Sequence, residues 1–353
     1  GGIRGFRALR KIWRFEFACH SRTDQPAMSS LVLHIGTHKT GSTTIQDTFW
    51  ANSRKLANKG LVYPKLDYQH TGHHGLIAES VGLPNTFHLE TGGKAAWERI
   101  NAKYSKGDHT VFLSTEEFSR ADRERSVDFV RLRNMLSGFD SISVLCFLRP
   151  QWRFLQSIYL EISRTRSPPR PPEMIEEAIN SGRCQGLYLD YTDLLDRLGT
   201  PFSSDEITLV DFEAVRQNEG GLIAAALGAT GVDLDASDLM ATQNGHSNRS
   251  PHALSQWAAN LLVEPYPATD GIVNATQGTL GSHEPSCLLT RGEIASMNQA
   301  FSASNQTLIE ARGPYQLDFQ LSDPPLPNKC KHREEVTLED WLKIGRELAR
   351  PLL

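Results

Sequence analysis

The chain has 353 residues, with 37 Lys and Arg against 41 Asp and Glu, a formal net charge of −4 and an apolar share of 39%. This is the composition of a globular protein with enough material for one large domain or two modest ones. Lacking a basic excess, it excludes nucleic acid as a general partner but leaves room for one small anion site. No apolar run approaches the roughly 18 residues of a membrane-spanning helix.

Residues 1–27 carry six basic side chains (Arg4, Arg7, Arg10, Lys11, Arg14, Arg22) against Glu16 and Asp24. No apolar stretch follows them, so they do not read as a secretory signal. They read as an extension ahead of Met28 with no part in the function, and residues 28–353 as a single domain. A buried strand is expected over 31–35, closed by Gly36. A helix follows over 42–58, with Ile45, Phe49 and Leu56 on one face and Gly60 as its stop. A short helix is expected over 75–81. Next come strands at 110–114, 142–148 and 207–210, separated by helices at 123–136, 151–164 and 173–180. The run SPPRPP at 167–172 is a stiff surface loop. Past about residue 230 the pattern loosens, with helices over 251–263, 290–310 and 338–349 and a long loop over 264–285. Strands alternating with helices predict an α/β fold: a parallel sheet flanked by helices, with an irregular, mostly helical C-terminal portion.

Five scattered cysteines without a C-x-x-C pair suit reduced thiols and a cytoplasmic protein. His70, His73 and His74 cluster with no cysteine partner, so no metal is expected there. Trp50, Trp97 and Trp152 read as packing residues. The Asn-x-Ser/Thr triplets at Asn248, Asn274 and Asn305 are chance matches to the glycosylation pattern.

The chemistry concentrates in Gly36-Thr37-His38-Lys39-Thr40-Gly41-Ser42-Thr43-Thr44. A turn between a buried strand and a helix aims backbone N–H groups and the positive helix end at one point, which suits phosphate or sulfate. The glycines permit close approach, Lys39 adds a point charge, and the hydroxyls add donors. The order differs from a Walker A loop, where Lys directly follows the second Gly; here Lys39 precedes Gly41. Asp211 and Glu116 are the carboxylates available at strand ends should a magnesium nucleotide bind.

Lys39-Thr40-Gly41-Ser42-Thr43 after a first strand resembles the 5′-phosphosulfate loop of sulfotransferases that use 3′-phosphoadenosine 5′-phosphosulfate (PAPS). The strand 142–148 runs into Arg149-Pro150, with Ser157 eight residues after Arg149, and this is similar to the 3′-phosphate signature of the same family. Gly60-Leu61-Val62-Tyr63-Pro64, His73-His74-Gly75-Leu76 and Ser114-Thr115-Glu116 make the resemblance closest to bacterial sulfotransferases, over residues 31–231. The resemblance implies a P-loop-type fold and PAPS as donor, with no metal required. It implies that Thr37, Lys39, Thr40, Gly41, Ser42, Thr43 and Thr44 hold the 5′-phosphosulfate and that Arg149 and Ser157 hold the 3′-phosphate. Asn248-Arg249-Ser250 is a further candidate nucleotide contact. The C-terminal Arg-Lys-Gly element of the cytosolic animal enzymes is not evident.

Sulfuryl transfer to a hydroxyl of a carbohydrate or other small metabolite is therefore expected, with Lys39 at the bridging oxygen. The acceptor needs a base within hydrogen-bond reach. Glu116, after strand 110–114, is the first candidate and His74 the second. Glu117 is expected in solvent, and His70, His73 and His74 at the acceptor. A magnesium-ATP kinase or nucleotide hydrolase and a catalytically silent nucleotide-binding module are the alternatives. Oligomeric state is left open.

Overall fold

The computed structural model describes residues 28–122, 124–241, 251–281 and 284–350. The basic segment 1–27 and Asn248-Arg249-Ser250 lie outside the described residues. Five strands, β1 (Ser30–His34), β2 (Leu61–Val62), β3 (Thr110–Ser114), β4 (Ser141–Leu148) and β5 (Ile207–Asp211), form a parallel sheet in the order β2-β3-β1-β4-β5. β1 lies between β3 and β4, in register from Ser30 opposite Thr110 and Ser141 to His34 opposite Ser114 and Leu145. The chain winds to one side of β1 and then crosses to the other, so the loop after β1 opens at the reversal. In open α/β sheets that is where ligands bind.

Alternation along the strands gives the sheet two apolar faces. Leu31, Leu33, Val111, Leu113, Val144, Cys146 and Leu209 point into one core. There they meet Trp97 of the Gly92–Tyr104 helix, Trp152 and Leu155 of Gln151–Ile162, and Phe301 of Arg291–Arg312. Val32, Phe112, Leu145, Phe147 and Val210 point the other way, onto Ile45 and Phe49 of Ser42–Ala51 and Leu227 of Gly221–Gly228. The result is a helix–sheet–helix sandwich, the α/β fold expected. The C-terminal helices Ala253–Val263, Asp270–Leu280 and Leu338–Ala349 share a small core of Leu254, Ala258, Leu280 and Ile344. Buried Arg312 ties this portion to the sheet, donating to the carbonyls of Ser204 (2.8 Å) and Ile207.

Several sequence expectations are corrected. The expected 42–58 helix is two, Ser42–Ala51 and Ser53–Ala57, broken at Asn52. The Asn52 side chain exchanges hydrogen bonds with the backbone of Met240 and donates to Thr48 O. The 123–136 helix shrinks to Phe129–Met135 because the Asp128 carboxylate caps it at Arg131 N. The expected loop 264–285 contains the helix Asp270–Leu280, which buries Thr276 and bonds its hydroxyl to Ser255 O at 2.9 Å. The helices Gly92–Tyr104 and Tyr191–Gly199 were not expected; Trp97 and Leu194 anchor them. Trp97 and Trp152 are buried as expected, while Trp50 is partly exposed beneath the Lys65 ammonium. Cys146, Cys184, Cys287 and Cys330 are buried free thiols. Among the described residues, no helix is long and apolar enough to cross a membrane.

Candidate functional site

The loop from β1 to the Ser42–Ala51 helix is pinned to the neighbouring strand. Thr37 N donates to Phe147 O at 2.9 Å, and the Thr37 hydroxyl donates to the same carbonyl at 3.1 Å. The Thr40 hydroxyl closes the turn on Thr37 O at 2.6 Å. Both threonines are buried, so they shape the loop rather than offering free donors. Gly36 (φ 90°), Lys39 (φ 58°) and Gly41 (φ 79°) take left-handed backbone conformations. A Cβ at Gly41 would lie 2.3 Å from Leu222 Cδ1, and one at Gly36 2.8 Å from Glu116 Cβ. Conformation requires both glycines, and at Gly36 the Glu116 backbone leaves no space for a side chain either.

This shape leaves a run of donors without protein acceptors. Among the described residues, the N–H groups of residues 38–43 bond to no protein atom, and the helix start has neither a side-chain cap nor an acidic first turn. Ser42, Thr43 and Thr44 likewise keep their hydroxyls free of protein acceptors among those residues. Consecutive N–H groups at a helix N-terminus form an anion-binding concavity. Lys39 is not poised over it. Its Nζ meets Glu161 Oε2 at 2.9 Å, with both side chains substantially in solvent.

Next to the loop, the end of β3 carries a cluster of imidazoles and carboxylates. Glu116 stands against Gly36, and its Oε2 accepts from Gln46 Nε2 at 3.0 Å. Gln46 also donates to the Ser114 hydroxyl (3.2 Å), which bonds His34 Nδ1 at 2.7 Å. Burial alone would raise the Glu116 pKa, but His74, His38 and its own backbone outweigh it, so the carboxyl lies below its ordinary 4.5. His74 holds Thr115 Oγ1 through Nδ1 at 2.7 Å, leaving Nε2 toward Gly72 and Gln46. Burial holds its pKa below 6.5 against the pull of Glu116 and Glu117, so the ring is neutral near pH 7.

Glu117 is buried rather than solvated. It binds Arg120 and accepts from His38 Nε2 at 3.3 Å, the His38 ring lying at the edge of the loop. Burial pushes its pKa up, but these two partners bring it down to about 2. His73 turns away from the opening: its ring accepts from Ser114 N through Nδ1 (3.0 Å) and donates from Nε2 to Pro64 O (2.8 Å). Buried and fully engaged, it clasps β3 and offers nothing to an acceptor, contrary to the expected contact role. His70 stacks on Phe87 at 4.4 Å and lies 6.3 Å from His74 between ring centroids, so those two do share a surface.

On the other side of the loop, Arg149 and Ser157 converge as the spacing suggested. Arg149 Nη1 donates to Ser157 Oγ (2.9 Å) and to Lys39 O (3.2 Å), so the guanidinium also braces the anion loop. Its Nη2 is held by Glu213 Oε1 at 2.7 Å, while Nε is buried with no acceptor among the described residues. Asp211 at the end of β5 is a capping residue: Oδ1 accepts from Glu213 N and Ala214 N, and Oδ2 from Ser322 N. Among the described residues no group of His, Cys, Asp and Glu is arranged to hold a metal ion.

Sequence reasoning missed Gln46, His38, Glu161 and Glu213. Helical spacing offered two of them: Gln46 lies four residues after Ser42 and Glu161 four after Ser157, on the same helix faces as those candidate residues. His38 stood inside the motif without a role, and nothing local marks Glu213, whose partner Arg149 comes from the end of another strand.

No family model matches the chain, and the comparison with curated proteins returns no match. Ten chains among solved structures match, among them a sulfotransferase from Alicyclobacillus acidocaldarius. Identity is 13%, coverage 60% of this chain and 84% of that one, and the TM-score 0.39. The overlap assigns no residue a role.

Proposed function

We propose that this chain transfers a sulfuryl group from PAPS to a hydroxyl of a carbohydrate or other small metabolite. The observation that carries the reading is the adjacency of two features: six N–H donors of a strand-to-helix loop that meet no acceptor among the described residues, and Glu116 packed against Gly36 of that loop. One binds an anion and the other removes a proton, and displacement at sulfur needs both within a few ångströms. The pairing of Arg149 with Ser157 supports a second phosphate subsite. The orphaned Arg149 Nε fits such a ligand, since a buried charged donor left unpaired is costly.

The donor supplies an activated sulfuryl group on a bridging oxygen. The loop N–H groups and the hydroxyls of Ser42, Thr43 and Thr44 hold its 5′ end. Lys39 exchanges Glu161 for the bridging oxygen and meets the charge that grows there as the S–O bond breaks. Glu116 takes the proton of the acceptor hydroxyl as its oxygen bonds to sulfur. His74 Nε2 orients that hydroxyl from the other side. Sulfuryl carries less charge than a γ-phosphoryl group, so backbone donors and one lysine suffice where kinases recruit magnesium.

Thermal-shift measurements test the donor half of this reading. Adenosine 3′,5′-bisphosphate in chelator is expected to raise Tm more than magnesium-ATP does. A larger shift with magnesium-ATP would favour a kinase or nucleotide hydrolase. Binding without transfer to any acceptor would leave a nucleotide-binding module.

A further inference from the structure

Glu213 is the least expected member of the site. It follows Asp211 by two residues at the end of β5, where the Asp211 cap holds its N–H at 3.1 Å, and its side chain is 3% exposed. Its two oxygens divide between two guanidiniums: Oε1 takes Arg149 Nη2 at 2.7 Å and Oε2 takes Arg216 Nη1 at 3.2 Å. Both guanidiniums lie over the ring of Phe212, at 4.9 Å and 5.7 Å. Phe212 in turn borders the anion loop, its Cε2 being 3.7 Å from where a Cβ on Gly41 would stand. Arg216 is half exposed, whereas Arg149 is nearly enclosed.

Arg149 has five N–H donors. Two go to Ser157 and Lys39, one goes to Glu213, and Nε is buried without a partner among the described residues. A phosphate arriving at this guanidinium finds part of its donor set and much of its charge already taken by an internal carboxylate. Two cations and one anion leave the cluster at +1. A phosphate monoester of −1.5 to −2 turns that sum negative, and like charges brought close repel where water is scarce.

We propose that Glu213 is a specificity-determining residue that sets how strongly the chain distinguishes a nucleotide bearing a 3′-phosphate from one bearing only the 5′ group. Its carboxylate is an internal competitor for Arg149, and Arg216 is the counterweight that draws it aside. The inference rests on the nucleotide reading of the loop but concerns groups outside that loop.

The test is the ratio of two dissociation constants by isothermal titration, for adenosine 3′,5′-bisphosphate and adenosine 5′-phosphate, in wild type, Glu213→Gln and Arg216→Gln. In Glu213→Gln the preference for the bisphosphate is expected to rise at least about tenfold, with the monophosphate changing less than about twofold. In Arg216→Gln, with the carboxylate left wholly to Arg149, the preference is expected to fall about threefold or more. A purely structural ion pair would alter stability and both affinities together, leaving the ratio unmoved. An unchanged or lowered preference in Glu213→Gln overturns the proposal while leaving the loop reading intact. Should Glu213→Gln fail to fold, an unchanged ratio in the exposed Arg216→Gln variant overturns it instead. Binding of neither nucleotide by any of the three proteins overturns both this proposal and the loop reading.

Discussion

Lys39 and Glu161 meet at 2.9 Å with 32% and 49% of their side chains exposed. A pair so wet contributes about 0–1 kcal/mol at most, so the ammonium is easily exchanged for a stronger anion. That ease suits the role proposed for Lys39. Lys39→Ala is expected to lower kcat by about 10²–10³-fold, with Tm nearly unchanged because the pair it loses is weak. Unaltered turnover would remove Lys39 from the chemistry. Glu116 and His74 separate by titration. The Glu116 carboxyl lies below 4.5 and the His74 imidazole below 6.5. Each is a proton acceptor only above its own pKa, so activity is lost as pH falls through it. With Glu116 as base, the acid limb of kcat/KM lies below pH 4.5, moves up in His74→Ala because the imidazole no longer holds the carboxyl down, and vanishes with most of the activity in Glu116→Gln. An acid limb lost in His74→Ala would give the proton to the imidazole.

The element that matters most is the loop between β1 and its helix, whose geometry depends on Gly41 more than on any charged group. Gly41→Ala puts a β-carbon on a residue held at a φ of 79° and pushes the Leu222 Cδ1 methyl aside. The expected result is a loss of about 1–3 kcal/mol of stability together with loss of anion binding. Retention of nucleotide affinity would show that the unpartnered N–H groups are not the binding surface. The loop was legible in the sequence because strand, glycines, lysine and hydroxyls are contiguous there. The four main strands were legible for the same reason, each being a short apolar run between turn signals. Less visible was what distant segments contribute. His73 and His74 look alike in sequence, yet one clasps the backbone of β3 and Pro64 while the other faces the opening. Glu116 and Glu117 are separated in the same way, by a single step in a short helical turn. Spacing identifies chemistry-bearing residue types, but the register of a neighbouring strand decides which of two adjacent side chains turns inward.

At the scale of the whole molecule, the C-terminal ends of the interior strands β1 and β3 rest on two buried imidazoles. Burial holds His34 and His73 down to a pKa of about 4, against about 6.5 in an unfolded chain. Both are neutral in the folded protein, and the unfolded chain binds protons first. Their contribution is therefore present in full above pH 6.5 and lost as the pH falls toward 4, on the order of 3 kcal/mol each. Urea unfolding at pH 7.5 and pH 5 should show this loss, with a shallower pH dependence in His73→Asn; equal stability at the two pH values would contradict it. Two of the chain's cations, Lys39 and Arg149, meet at the anion loop, and each is held by a carboxylate, Glu161 and Glu213. The most direct measurement of the central claim is transfer of radiolabelled sulfate from PAPS to a panel of carbohydrate and small alcohol acceptors, in chelator, by wild type and Lys39→Ala. The account predicts labelled product from wild type without added metal and at least about 100-fold less from the variant. Absence of any labelled product, or equal rates from the two proteins, would contradict it.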